Sequence, residues 1–147
     1  MQVNTLVSNK GENLLGPILI TPDVFEDDRG FFYESWNQNA FREILNSTNK
    51  VNLKDEEMIF VQDNHSLSKK GVLRGIHYQV EPYSQGKLVR CIRGEIFDVI
   101  IDLRKNLTSF GTWAGVYLNS QSKRQLWVPR SFGHAFLTIS SEAEVNY

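Results

Sequence analysis

Short strand-like runs separated by polar turns, rather than a helical period, dominate the chain from Met58 onward. Met58 to Asn64 alternates and predicts a strand, with Gln62 and Asn64 on one face and Asp63 on the other. Ser66 to Gly71 is polar and predicts a turn, and Gly71 to Gln79 predicts the next strand with its exit turn. Leu88–Ile92 and Glu95–Leu103 flank Arg93-Gly94, a pattern that predicts a hairpin. In the second arm Ile96, Asp98, Ile100 and Asp102 share one face, and Phe97, Val99, Ile101 and Leu103 the other. Phe110–Asn119, Arg124–Pro129 and His134–Ile139 predict further strands separated by short polar turns.

The first third of the chain is less regular. Residues 1–16 show no clear period, and Pro17–Ile20 predicts a short strand stopped by Thr21-Pro22-Asp23. Asp27-Asp28-Arg29-Gly30 has the composition of a tight turn, and Gly30–Trp36 predicts a strand. Asn37 is placed to cap a short helix whose Ala40, Phe41, Ile44 and Leu45 fall on one side, and Asn46–Glu57 predicts a polar loop. Many short, closely spaced strands with one or two short helices predict an all-β fold, an antiparallel sandwich or barrel.

Composition narrows the possibilities. The 147 residues fit one domain with its own core, 1–147, at 41% hydrophobic and 22% charged residues. A net charge of −1 argues against a nucleic-acid partner, because backbone binding relies on clustered Lys and Arg. The single Cys91 lies in a strand-like run and reads as a buried apolar residue. No apolar run reaches membrane length and the N-terminus lacks a signal-peptide pattern, so a cytoplasmic setting with no membrane partner is expected.

Gly71-Val72-Leu73-Arg74-Gly75-Ile76-His77-Tyr78-Gln79, followed by Gln85-Gly86-Lys87, brings an arginine, a histidine and a lysine together. A histidine takes a proton near neutral pH, while arginine and lysine hold a phosphorylated ligand or a developing oxyanion. Arg74 and His77 are three apart, so a flat strand points them to opposite faces. If both serve one site, the strand is bulged, and Gly75 is the residue that accepts a bulge. Asp98 on an apolar face needs a partner, either a structural hydrogen bond or a role in orienting an interior cation or His77.

Pro129-Arg130-Ser131-Phe132-Gly133-His134 supplies a second histidine after a turn, and with the first stretch it resembles the two motifs of the cupin superfamily, a jelly-roll barrel. Metal-binding cupins carry a second histidine where this chain has Gln79, an amide and a poor transition-metal ligand, so the expectation is a site without metal. Asp28-Arg29-Gly30-Phe31-Phe32, Phe60–Ser66, Val72–Gln79, Gln85–Arg90, Gln125–Pro129 and Gly133–Phe136 together resemble the dTDP-4-dehydrorhamnose 3,5-epimerase family from about Pro17 to Tyr147.

That resemblance implies a nucleotide-linked 4-keto-6-deoxyhexose as substrate, inverted at C3 and C5 through enolates, with no metal and no redox cofactor. It implies His77 as base, Tyr147 as proton donor and Lys87 as the cation at the C4 oxygen. Arg29, Glu34, Gln62, Asp63, Asn64, Arg74 and His134 match substrate-binding positions, although His134 reads equally well as a structural residue. The family is a homodimer in which N-terminal residues reach the neighbouring site, so Arg29 and Glu34 are expected to act across that interface. Its base pairs with an aspartate from a C-terminal segment, which this chain is expected to lack. Alternative readings are a single-centre epimerase on another nucleotide-linked keto sugar and a non-catalytic nucleotide-sugar-binding cupin.

Overall fold

A computed structural model describes residues 1–48 and 59–147. Twelve strands and one helix are found among them: β1 (Gln2–Val7), β2 (Asn13–Thr21), β3 (Phe25–Asp27), β4 (Gly30–Phe32), α1 (Gln38–Thr48), β5 (His65–Lys69), β6 (Leu73–His77), β7 (Lys87–Arg93), β8 (Glu95–Asp102), β9 (Trp113–Asn119), β10 (Gln125–Val128), β11 (Phe132–Thr138) and β12 (Glu142–Asn146). Ten strands form two antiparallel sheets, ordered β1-β2-β10-β7-β12-β5 and β6-β11-β8-β9, while β3 and β4 pair only with each other. The expected all-β, cupin-like jelly roll is the observed architecture.

The alternation read along β8 decides how the layers meet. Ile96, Asp98, Ile100 and Asp102 are all buried, while the intervening residues are partly exposed. Ile96 and Ile100 join Leu14, Val89, Leu126, Phe136 and Val145 in the core. A smaller core lies around α1: Phe41, Ile44 and Leu45 pack with Ile18, Ile20 and Trp127. Asn37 caps α1 as expected, its Oδ1 accepting from the backbone N–H groups of Asn39 at 3.0 Å and Ala40 at 3.1 Å. Trp36, Phe41, Phe60 and Trp127 form an edge-to-face aromatic cluster, with ring centroids 4.8 Å apart for Trp36 and Phe60 and 5.2 Å for Phe41 and Trp127.

Several expectations about the elements are corrected. β7 and β8 do not form a hairpin, because they belong to different sheets and the chain crosses between them at Gly94. Gly94 sits at φ +75°, and a Cβ there would lie 2.2 Å from the Glu142 carbonyl oxygen, so the sharp corner admits no side chain. β1 escapes the periodicity because it is an edge strand on which only Leu6 is buried, with a register shift beside it. The Gly30–Trp36 strand stops at Phe32, which pairs with Phe25, the first residue of its partner β3. The segment 59–64 is not a strand, and 65–69 is one rather than a turn, since its polar residues pair along the edge of β12. β12 itself was hidden by its mixed charge pattern, yet it lies between β7 and β5 with Ala143 and Val145 fully buried. Most of the predicted Asn46–Glu57 loop lies outside the described residues, although α1 occupies its first three positions.

The expected bulge in β6 is present. His77 pairs with His134, and Arg74 with Phe136, so three steps along β6 match two along β11. Gly75 at the bulge has φ +113°, and a Cβ on it would lie 2.5 Å from the His134 carbonyl oxygen. Gly75→Ala is therefore expected to destabilise the protein by about 2 kcal/mol or more, read as a lowered urea midpoint with an unchanged slope.

Candidate active site

The strand ends at one end of the sandwich enclose a cavity of about 700 Å³, a size that takes a small-molecule ligand. His77 at the end of β6, Lys87 at the start of β7, His134 near the start of β11 and Tyr147 just past β12 all line it. Gln62 and Asn64 join them from the irregular segment before β5, with the Gln62 amide donating to Asn64 Oδ1 at 2.8 Å.

Local geometry places each group. His77 and His134 are direct cross-strand partners in the antiparallel β6–β11 pair, which puts both side chains on one face. Their ring centroids are 5.8 Å apart. Gly86 lets the chain pass over Trp127, where a Cβ would lie 2.2 Å from the indole ring, before Lys87 starts β7. Lys87 Nζ lies 5.6 Å from the centroid of the Tyr147 ring. Tyr147 is pinned by its backbone: its N–H donates to the Asn64 carbonyl at 3.0 Å, and its carbonyl accepts from the Asn64 N–H at 2.8 Å. It is therefore held at its backbone and not frayed.

His134 is almost wholly buried, and its Nε2 lies 3.0 and 2.9 Å from the two carboxylate oxygens of Asp98, which is fully buried. Register explains the pair: His134 lies opposite Ile100 and Asp98 opposite Phe136, so the two are diagonal neighbours on adjacent strands. Of the partners considered for Asp98, the structure gives it His134 and not His77. Partial burial, then the positive charges of Lys87 and His134, hold His77 below the ordinary imidazole range. Burial also lowers the Lys87 ammonium, opposed by the charge of Asp98. Burial pushes the Asp98 carboxyl up, against the pull of His134 and Lys87.

Other sequence-derived positions fall elsewhere. Arg74 shares the inward side of the bulged strand with His77, but it crosses to β5, where Nε donates to Ser68 Oγ at 2.8 Å, and it does not line the cavity. Arg29 sits at the β3–β4 turn, its side chain 90% exposed and paired with Asp27. Glu34 borders a small hollow beside α1, and Asp63 borders a hollow of about 470 Å³ that shares Gln62 and Tyr147 with the main cavity. Sequence reading missed Ser84, Gln85, Arg130 and Ser131 as lining residues. The signal for them was available, since they flank Lys87 and His134 in the two stretches already singled out. Among the described residues no group of three His, Cys, Asp or Glu side chains is gathered for a metal ion. Cys91 is buried, its thiol pushed up to about 11, which suits a packing residue. No helix among the described residues is long and apolar enough to cross a membrane.

A jelly roll with a histidine, a lysine and a tyrosine facing one nucleotide-sized cavity is the arrangement of a cupin-like epimerase. A profile of the dTDP-4-dehydrorhamnose 3,5-epimerase family matches residues 12–147, and the chain belongs to that family. It is 53% identical over 130 residues to the dTDP-4-dehydrorhamnose 3,5-epimerase of Shigella flexneri, covering 88% of this chain and 67% of the relative. The chain thus spans about two thirds of the length of the curated relatives it matches. A crystal structure of a dTDP-6-deoxy-D-glucose-3,5-epimerase from Legionella pneumophila Philadelphia 1, in complex with dTDP-4-keto-L-rhamnose, superposes with a TM-score of 0.80 at 40% identity, covering 99% and 70% of the two chains. A 3′-monoepimerase from Streptomyces bikiniensis in complex with dTDP-quinovose does so with a TM-score of 0.78 at 28% identity, covering 89% and 62%.

The surroundings of His77 generate a titration. Its midpoint, followed by NMR of the ring nitrogens, is expected below 6.5, and Lys87→Met is expected to raise it. A depressed value keeps the imidazole deprotonated, and able to accept a proton, to lower pH than in a free histidine.

Proposed function

We propose that this chain carries the catalytic domain of a dTDP-4-dehydrorhamnose 3,5-epimerase, converting dTDP-4-dehydro-6-deoxy-D-glucose to dTDP-4-dehydro-L-rhamnose. The observation that carries the reading is the convergence of His77, Lys87 and Tyr147 on one cavity. Identity of 53% to an enzyme of that name and the fold shared with a ligand-bound epimerase support it. The hydrogens at C3 and C5 of the substrate are acidic because each is α to the C4 ketone. His77 removes such a proton; the negative charge moves onto the C4 oxygen, where the Lys87 ammonium stabilises the enolate. Tyr147 returns a proton to the opposite face, and the centre is inverted. Gln62, Asn64 and His134 supply hydrogen bonds to the nucleotide sugar from the same cavity.

Arg29, Glu34, Asp63 and Arg74 take a different part. None of the four lines the main cavity of a single chain. Arg29 and the exposed Phe31 and Phe32 stand on the separate β3–β4 hairpin, a shape suited to reaching a neighbouring subunit. A cytoplasmic homodimer in which this hairpin brings Arg29 and Glu34 to the partner's ligand accounts for their position. Arg74 and Asp63 serve the nucleotide end, outside the reacting centre.

A second reading, inversion at one centre only, is favoured by the fold shared with a 3′-monoepimerase. Incubation of the keto sugar in heavy water decides between them. Deuterium is expected at both C3 and C5, and His77→Asn is expected to slow exchange roughly 10²–10⁴-fold, the usual contribution of a general base. Exchange at one centre establishes the second reading, and binding without exchange refutes both.

A further inference from the structure

Asp98 stands outside that reaction scheme, yet it is a fully buried acid bonded to His134, which lines the same cavity. It lies on β8 at 0% exposure, with both oxygens within hydrogen-bond distance of His134 Nε2. An ionised carboxylate only accepts, so Nε2 carries the hydrogen of this bond. The other ring nitrogen, Nδ1, is buried and has no hydrogen-bond partner among the described residues. Asp98 and Lys87 also act on each other through their charges. Both of Asp98's partners, Lys87 and His134, are the cations whose charge falls on His77.

We propose that Asp98 is a positioning residue of this site: it fixes the His134 ring through Nε2 and offsets the positive charge that Lys87 and His134 place beside His77. Among the described residues, the charged and titratable groups around the cavity are His77 and Tyr78 from the β6 side, Lys87 from β7, Arg130 and His134 from the β11 side, and Tyr147 after β12. On β9, the residue paired with Asp98 is Val116, which carries no charge. Without Asp98 the field at His77 becomes more positive, and the imidazole becomes a weaker base. With it, Lys87 stays cationic for the oxyanion while His77 stays basic enough to take a proton. The consequence for catalysis rests on the assignment of His77 as the base; the electrostatic effect itself does not.

The test is the NMR titration of His77 in Asp98→Asn, which keeps the side chain's shape and removes its charge. The His77 midpoint is expected to fall by about half a pH unit or more, the size of a nearby-charge effect. In the heavy-water assay the acid limb of the exchange profile is expected to move down by the same amount. A folded Asp98→Asn protein with an unchanged His77 midpoint overturns the proposal and leaves Asp98 a purely structural acid. If Asp98→Asn does not fold, His134→Gln carries the test: the amide N–H still donates to Asp98 but cannot become cationic. The His77 midpoint is then expected to rise, and an unchanged or lowered value overturns the proposal. Absence of exchange in the unsubstituted protein would refute the epimerase reading while leaving the titration able to judge Asp98.

Discussion

A carboxylate cannot be left alone in the middle of an apolar sheet face, and the arrangement around Asp98 follows from that requirement. Removing such a group from water costs several kcal/mol unless it is paired and hydrogen-bonded. β8 places Asp98 between Ile96 and Ile100 on its buried face, so a compensating group has to come from a neighbouring strand. β11 supplies His134 on the diagonal, and β7 supplies Lys87 from the opposite sheet. The acid thus ties the positions of two cavity residues to the register of two sheets. A one-residue slip of β11 against β8 would turn His134 to the other face. The site's geometry and the sandwich's register are consequently one specification.

Close backbone approach is the second constraint. β6 passes so near β11 that only glycine fits at position 75, and the resulting bulge is what sets His77 opposite His134. Gly86 does the same over Trp127 just before Lys87, and Trp127 in turn belongs to the core under α1. The helix, the aromatic cluster and the cavity wall are linked through this one indole. A change in packing under α1 therefore reaches Gly86 and the start of β7 through a rigid aromatic ring.

The fold class was readable because the chain from Met58 onward falls into many short strand-like runs parted by polar turns, and Asn37 with Phe41, Ile44 and Leu45 marks a helix by cap and stripe. Pairing was not readable, since alternation fixes a strand's faces and says nothing of its neighbours. Arg93-Gly94 has hairpin chemistry yet turns the chain from one sheet to the other. β12 carries Glu142 and Glu144 on its more exposed side, so its two fully buried residues gave too short a signal. The same division holds for the site. His77, Lys87, His134 and Tyr147 were found by residue type and motif, and they do converge. Asp98 was recognised as needing a partner, but its choice of His134 depends on a diagonal across two strands that only the register defines. Arg74 was expected at the site from the family resemblance, which required a bulge; the bulge formed, and the long side chain makes its hydrogen bonds with Ser68 and Leu67 instead.

Tyr147 shows how the two levels combine. A tyrosine after a short polar strand looks free in sequence, but β12 lies inside the six-stranded sheet and Asn64 holds the tyrosine's backbone from both sides. The Asn64 side chain adds a third bond, its Nδ2 donating to the Tyr147 carbonyl at 3.1 Å. In the proposed epimerisation a proton donor has to be set against the face of the sugar opposite the base, and a freely moving side chain cannot hold that geometry. Here the phenol's placement comes from the central sheet and from Asn64. The imidazole's placement comes from the bulge at the edge of the other sheet. The gap between the two layers therefore sets the spacing of the imidazole and the phenol, and the core that fixes that gap also fixes the geometry on which the proposed reaction rests.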